Sequence, residues 1–226
     1  MAVTLAFDVY GTLIDPLGIS VRLQEIVGED APAFAKDWRD KQIEYLFRRA
    51  LGRDYQPFSV CTAQALDYTS LAFNLTLSDA DRQSLLAAYR ELPAYEDVPD
   101  ALRALKDAGC RNYAFSNGEP EDLEYLLDYA DLDPVLDGVI SVHDIQSYKP
   151  DPDVYAHFLA TTRSKKDATW LVSGNSFDVI GAHNAGWNTA WVRRNPAILF
   201  DPWGVEPTIS VSSMVELVAA IVGENN

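Results

Sequence analysis

Cysteine, histidine and basic residues are scarce in this chain of 226 residues, and long apolar runs are missing. The two cysteines, Cys61 and Cys110, have no close spacing, so we expect reduced, buried thiols of the kind found in a cytoplasm. The three histidines, at positions 143, 157 and 183, form no metal-spaced cluster. No apolar run approaches ~18 residues and the first residues carry no basic region, so neither a membrane span nor a secretion signal is expected.

The charge balance is strongly acidic, with 18 Lys and Arg residues against 34 Asp and Glu residues and a net charge of −16. Nucleic acids and anionic membrane surfaces attract basic protein surfaces, so neither is expected as a partner. The same field would repel a small anionic substrate. A site for such a molecule must therefore supply its own local cations.

The spacing of the 12 glycines excludes several nucleotide-binding and hydrolase motifs. No two glycines lie two or four positions apart, which excludes both the dinucleotide fingerprint and a Gly-x-Ser-x-Gly elbow. Gly181 and Gly186 are five positions apart, but Trp187 follows them where a P-loop needs lysine.

Hydrophobic periodicity predicts an α/β fold with a helical insertion. The apolar run 4–8 ends at a glycine-containing turn, which is typical of a buried parallel strand. Positions 31–45 repeat apolar residues at helical spacing, and no strand pattern appears between positions 14 and 92. From position 99 strands alternate with helices, which predicts a Rossmann-like parallel sheet with helices on both faces. The predicted domains are an α/β core of residues 1–15 and 93–226 and an all-helical cap of residues 16–92.

Individual elements are predicted as follows. The later strands fall at 113–115, 138–141, 168–172, 189–192 and 208–211. The helices fall at 58–73, 78–89, 100–108, 121–129, 152–160 and 213–222, and one more follows the segment 173–178 and ends at about residue 185. Ser78 has the residue type and position of an N-cap.

Polar residues follow four of the predicted strands, at the end where open α/β sheets bind ligands. They are Asp8, the Ser116-Asn117-Gly118 turn, Lys149 before Pro150, and the segment from Ser173 to Asp178. Each has a structural alternative taken alone. Asp8 could only cap its turn, Asn-Gly is a common turn, and a lysine is usually a solvated surface charge.

Taken together, the four motifs resemble those of the haloacid dehalogenase superfamily. The first motif is Asp8-x-Tyr10-Gly11-Thr12-Leu13. Most members carry a second acid where this chain has Tyr10, and the phosphatases among them hold Mg²⁺ with two acids in the fourth motif. Here Ser173 and Asn175 are neutral, which resembles the L-2-haloacid dehalogenase branch. The resemblance therefore implies a site with no metal and no other cofactor.

The resemblance also implies a role for each candidate residue. Asp8 is the nucleophile that forms an ester, held by Thr12, Ser173 and Asn175. Lys149 and Asp178 position or activate water, and Tyr155 supports one of them. Arg39, on the predicted cap helix, receives the halide with Asn117. Ser116 and the backbone N–H groups after Asp8, those of Val9 and Tyr10, bind the substrate carboxylate, while Phe58 and Phe177 line the cleft. An ion-paired surface Arg39 and aromatic core filler are the structural alternatives.

Two positions depart from the branch. Asp40 stands where relatives often have an uncharged residue near the cleft, and Gly174 where they often have serine. The first position bears on the substrate range, and the second on a local hydrogen bond.

The resulting expectation is a cytoplasmic, homodimeric hydrolase that converts small (S)-2-haloacids into (R)-2-hydroxyacids through an aspartyl ester. A phosphatase of the same superfamily is one alternative, disfavoured by Tyr10, Ser173 and Asn175. A catalytically silent binding protein on the same fold is the other, and four retained charges in one cleft speak against it.

Overall fold

The computed structural model describes residues 2–223, in which a six-stranded parallel sheet carries nine helices. Met1 and residues 224–226, which belong to the predicted core domain, lie outside the described residues. The strands are β1 Thr4–Asp8, β2 Arg111–Ser116, β3 Gly138–Ser141, β4 Thr169–Ser173, β5 Asn188–Val192 and β6 Ile209–Val211. The helices are α1 Ser20–Val27, α2 Ala31–Gly52, α3 Phe58–Ala72, α4 Asp79–Ala88, α5 Val98–Asp107, α6 Pro120–Tyr129, α7 Pro152–Thr162, α8 Ser176–Asn184 and α9 Met214–Gly223. Within the same residues, none of the helices has the length and apolarity that a membrane span requires.

The sheet has the strand order β3-β2-β1-β4-β5-β6, which is the Rossmann order, and every neighbouring pair is parallel. All five residues of β1 are buried. Successive side chains of a strand point to opposite faces, so both faces of the sheet are covered at its centre. The predicted α/β class with a parallel sheet is confirmed.

The segment between β1 and α5 forms helices α1 to α4, which pack on one another. α5 instead packs on β2 and α9. The chain enters this helical segment after β1 and leaves it before α5, and these two connecting stretches of backbone lie side by side. Asp15 N donates to Pro93 O at 2.9 Å, and Tyr95 N donates to Leu13 O at 3.0 Å. On this packing we keep as a proposal the division into a core of residues 1–15 and 93–226 and a cap of residues 16–92.

α2 is the longest of the described helices, and its Arg39 contacts Tyr10 in the turn after β1. A proline in its first turn suits a helix start, because that position needs no backbone N–H. Its buried stripe consists of Ala31, Phe34, Ala35, Trp38, Gln42 and Leu46. Trp38 Nε1 donates to Thr62 O on α3 at 2.9 Å, which fixes the neighbouring residue, Arg39, relative to α3.

Most predicted elements fall on observed ones, and the errors have local causes. β2 begins at Arg111, and the predicted start at residue 113 was too late. The prediction missed the first two residues because the polar Asn112, although fully buried, interrupts the apolar pattern. α5 begins at Val98, before the predicted start at 100, since Pro99 is tolerated in a first helical turn. The cap at Ser78 is confirmed, with its hydroxyl accepting from Asp81 N at 3.1 Å.

Candidate active site

Asp8 is the last residue of β1 and lies between β2 and β4, where the strand order reverses direction. The turn that follows needs glycine, because Gly11 has φ +89°. This turn returns Thr12 to the carboxylate, so a single loop supplies both the acid and one of its hydrogen-bond donors.

The two carboxylate oxygens of Asp8 have different surroundings. Oδ2 accepts from Thr12 Oγ1 at 2.9 Å, from Ser173 Oγ at 3.2 Å and from Asn175 Nδ2 at 2.6 Å. Oδ1 accepts from Lys149 Nζ at 3.2 Å. Three donors therefore orient the carboxylate through one oxygen and leave the other in contact with a single cation.

Lys149 links two carboxylates in the interior. Its ammonium donates to Asp178 Oδ2 at 2.8 Å and to Phe115 O at 2.7 Å, besides Asp8. Lys149 is 1% exposed, Asp8 8% and Asp178 0%. One cation between two acids leaves the cluster one negative charge in excess, so removing Lys149 would leave two buried carboxylates without a counter-ion.

Asp178 is fixed on its other side by Tyr155. The Tyr155 hydroxyl donates to Asp178 Oδ1 at 2.9 Å and to Asp178 O at 3.2 Å. Burial raises the pKa of Asp178 from 3.8 to about 6, and the charge of Asp8 acts in the same direction, while the Lys149 ammonium opposes both. Burial also raises the pKa of Tyr155 well above 10, so its phenol stays a neutral donor.

A small cavity, with an empty volume of about 280 Å³, lies over Asp8 and is called the reaction cavity below. It is lined by Asp8, Tyr10, Arg39, Ile43, Leu46, Phe58, Ser116, Asn117, Asn175 and Phe177. The structure thus brings the expected substrate-binding side chains together with the exception of Val9, which is wholly buried beside the turn. The other predicted catalytic residues do not line the reaction cavity; they are Thr12, Lys149, Tyr155, Ser173 and Asp178.

Arg39 reaches the reaction cavity from α2. Its Nη2 donates to Tyr10 O at 3.2 Å and its Nη1 to Gln42 Oε1 at 2.6 Å. The Tyr10 ring stacks on Phe58 with ring centroids 5.0 Å apart, and burial raises the pKa of Tyr10, so it remains a neutral phenol. In residues 2–223 Arg39 makes no ion pair with a carboxylate, unlike the surface arginine of the structural alternative.

Gln42 was missed by the sequence analysis. It is fully buried, and its Oε1 also accepts from the Tyr89 hydroxyl at 3.0 Å, while its amide donates to Thr62 Oγ1. A polar residue inside the apolar stripe of α2 was the available signal. Ile43 and Leu46, one and two turns beyond Arg39, were also missed as lining residues, although helical spacing places them on its side.

The two departures from the dehalogenase pattern have visible surroundings. Asp40 is exposed and pairs with Lys36 at 2.5 Å, so it does not line the reaction cavity. Gly174 N donates to Thr12 Oγ1 at 2.9 Å, and a Cβ at this glycine would lie 2.4 Å from Gly11 O. In this chain, therefore, close backbone contact occupies the place where a serine side chain would begin.

The donor set does not fit a magnesium ion. Mg²⁺ takes oxygen ligands and is usually held by carboxylates. In the place that a phosphatase acid occupies, this chain has Tyr10, and Asn175 directs its amide nitrogen at Asp8. The Lys149 ammonium already occupies the space between Asp8 and Asp178. Among residues 2–223 no three His, Cys, Asp or Glu side chains form a metal-binding group.

Comparison with known proteins agrees with this geometry. The family model described as haloacid dehalogenase-like hydrolase matches residues 3–186. The chain belongs to the haloacid dehalogenase-like hydrolase family. It is 34% identical to an (S)-2-haloacid dehalogenase of Pseudomonas sp. (strain YL), over 97% of this chain and 96% of the relative. It is 31% identical to haloacetate dehalogenase H-2 of Moraxella sp. (strain B), over 96% of each chain.

Among solved structures of this family, the chain is similar to an L-2-haloacid dehalogenase from Xanthobacter autotrophicus with chloropropionic acid covalently bound. The TM-score is 0.93 and the sequence identity 28%, and the match covers 99% of both chains. Both the core and the helical segment therefore have counterparts in that dehalogenase.

Proposed function

We propose that this protein hydrolyses small (S)-2-haloacids to (R)-2-hydroxyacids through an ester on Asp8. The observation that carries the proposal is the carboxylate of Asp8, which lines a small cavity while three donors hold Oδ2 and Lys149 contacts Oδ1. The names of the dehalogenase relatives and the covalently bound chloropropionic acid in one of them support the same reaction.

In the first step Asp8 Oδ1 attacks the carbon that bears the halogen. A carbon–oxygen bond forms, the carbon–halogen bond breaks, and the halide leaves with the bonding electrons, with inversion at carbon. Arg39 and the Asn117 amide line the cavity and can receive the halide. Ser116 and the N–H groups after Asp8 take the substrate carboxylate, and the rings of Phe58 and Phe177 exclude water from the nucleophile.

In the second step a water oxygen attacks Cγ of Asp8. The bond from Cγ to the substrate oxygen breaks, and Asp8 regains a carboxylate that carries one oxygen from water. Of the two protons of the water, one goes to the hydroxyl oxygen of the departing hydroxyacid and the other is released to solvent. Splitting one displacement into two is the advantage of covalent catalysis. Lys149 and Asp178 are the groups that position or activate this water. Tyr155 acts through Asp178, which it contacts, and not directly on Lys149.

We also propose finer features of the protein. It is a homodimer, for which the exposed Tyr68 and Leu71 on α3 offer an apolar contact surface, and it works in the cytoplasm, where buried thiols such as Cys61 and Cys110 stay reduced. Sedimentation velocity measures the first property directly. A monomer at micromolar concentration would contradict it.

Two other functions have less support from the residues present. A phosphatase of this family would need oxygen ligands for Mg²⁺, and the lining offers a phenol and an amide nitrogen at those places. A silent binding protein would have no use for a buried Lys149 between two acids, because such a charge cluster costs stability.

Isotope labelling tests the proposal at the atom that it names. During many turnovers of (S)-2-chloropropionate in H₂¹⁸O, the peptide containing Asp8 should gain ¹⁸O at its carboxylate, because water attacks Cγ. A single turnover with excess enzyme should give unlabelled hydroxyacid. The peptide containing Asp178 is the internal control and should stay unlabelled.

Two results would contradict the proposal. An unlabelled Asp8 after many turnovers would mean direct attack by water, with Asp8 as a general base. Release of phosphate from simple phosphate esters, without halide release from any 2-haloacid, would favour the phosphatase.

A further inference from the structure

A second, larger cavity adjoins the reaction cavity and is called the outer cavity below. It has an empty volume of about 1090 Å³ and lies between α2 and the loop after β5. Arg39, Ile43 and Asn175 line both cavities, so these three side chains form the boundary between them. A small molecule in the outer cavity would therefore lie next to side chains that also line the reaction cavity over Asp8.

The outer cavity has a cationic lining in a protein whose net charge is −16. Its charged residues are Lys36, Arg39, Asp40, Arg193 and Arg194. Lys36 is neutralised by Asp40 at 2.5 Å, and Arg194 pairs with Asp97 at 2.9 Å. Arg39 and Arg193 form no ion pair with any carboxylate of the described chain, which leaves two uncompensated cations along one path.

Arg193 lies at the outer end of this path. Its Nε donates to Ile198 O at 2.9 Å, its Nη2 donates to Pro196 O, and its guanidinium lies 5.6 Å from the Trp191 ring. A guanidinium has five N–H donors. Within residues 2–223 these are its side-chain hydrogen bonds, so three donors of a half-buried, oriented cation are available to an anion.

Among residues 2–223, two of the other cavities border the reaction cavity, and their charges suit an anion less well. One shares Tyr10 and Phe58 with it and has a single cation, Arg90, which pairs with Asp122 at 3.0 Å. The other shares Phe177 and is larger, about 1520 Å³. There Arg53 is exposed and shares the lining with Asp151, although the two form no ion pair among the described residues, and Lys149 is already held by two carboxylates.

We propose that the outer cavity is the route by which the anionic substrate reaches Asp8 and the halide leaves, with Arg193 as the capturing cation. The inference rests on the proposed function and adds the path and its selectivity. The acidic protein as a whole repels a carboxylate. Arg193 and then Arg39, two unpaired arginines that follow one another along the path, provide the local attraction that overcomes this repulsion. Arg39 acts at the inner end, where it contacts both cavities.

Two substitutions with the same change in charge test the route. Arg193→Gln removes the cation of the outer cavity, and Arg53→Gln removes the cation of the large cavity beside Phe177. We expect Arg193→Gln to lower kcat/KM for (S)-2-chloropropionate by roughly two- to fivefold, through KM, at low ionic strength. Arg53→Gln should leave kcat/KM within the error of the wild type. Arg193→Lys, which keeps the charge, should retain most of the wild-type kcat/KM. The difference between wild type and Arg193→Gln should shrink as salt is raised, because the Debye length is about 10 Å at 0.1 M.

Iodide quenching supplies a readout that needs no turnover. Trp191 lines the outer cavity, so the part of the quenching that Trp191→Phe removes reports iodide in that cavity. This part should fall in Arg193→Gln and stay unchanged in Arg53→Gln. Equal effects of the two substitutions, or a larger effect of Arg53→Gln, would overturn the proposed route. A wild type that releases no halide but shows the quenching difference would overturn the proposed function and leave the anion path standing.

Discussion

The titration of Asp178 connects the buried charge cluster with the pH range of the enzyme. Its ionised form accepts from Lys149 and Tyr155, and burial raises its pKa to about 6. Below this pH Asp178 takes up a proton, and the ammonium that contacts Asp8 loses one of its two counter-ions. We therefore expect kcat to fall about tenfold per pH unit below about pH 6, since the ionised fraction falls at that rate.

The effect on stability has the opposite sign from that of an ordinary paired acid. A carboxyl whose pKa is higher in the folded state binds its proton more tightly there than in the unfolded chain. Its contribution to stability is fully present below about pH 4 and is lost as pH rises through about 6. The free energy of unfolding of wild type minus that of Asp178→Asn should therefore decrease between pH 4 and pH 7. Denaturant titrations measure this difference, and a flat difference together with a flat kcat would contradict the raised pKa.

At the level of elements, α2 determines where Arg39 stands. Gln42 lies one turn further on the same helix and joins α2 to Thr62 of α3 and to Tyr89. We expect Gln42→Leu to lower kcat about tenfold, because the guanidinium loses the acceptor that orients Nη1 and small displacements in a site are costly. The unpaired groups should also cost about 1–3 kcal/mol of stability.

A specific role for Gln42 is separated from mere destabilisation by the leaving group. If Gln42 positions Arg39 at the departing halide, the ratio of kcat for 2-bromopropionate to kcat for 2-chloropropionate should change in Gln42→Leu. Thr69→Val is the control, since it removes a buried hydroxyl from α3 whose hydrogen bond, within the described part of the chain, goes to Ala65 O. An unchanged ratio in Gln42→Leu would leave the residue with a structural role alone.

Most of the strands and helices could be predicted from the sequence, whereas the long-range polar contacts between them could not. The parallel strands and most helices followed from apolar periodicity and from glycine and proline positions, which are local signals. Asp8, at the end of β1, and Lys149, in the loop after β3, could be predicted to meet, because parallel strands end at the same edge of a sheet. The contacts of Gln42 with Tyr89 and of Arg194 with Asp97 could not, because no sheet edge or helical period relates partners that are 47 and 97 residues apart in the chain. Such long-range polar contacts leave no periodic pattern.

For the whole molecule, the net charge of −16 and the charge of the site must be considered separately. Many of the 34 acidic residues are exposed, and divalent cations will bind weakly to such a surface. The site itself has Lys149 between its two acids, and neutral Ser173 and Asn175 beside them. A divalent cation should therefore influence the stability of the folded protein and its halide-releasing activity differently.

Exhaustive chelation tests this separation. We expect kcat for (S)-2-chloropropionate to remain within about 20% of its original value in EDTA, because Asp8 is oriented by hydroxyl, amide and ammonium donors and not by a metal. Added Mg²⁺ should raise the melting temperature slightly by neutralising surface carboxylates, with no matching rise in kcat. Lithium or sodium chloride at equal ionic strength is the control for screening. Loss of turnover in EDTA that Mg²⁺ restores would show that the site needs a divalent ion, and would favour the phosphatase over the dehalogenase.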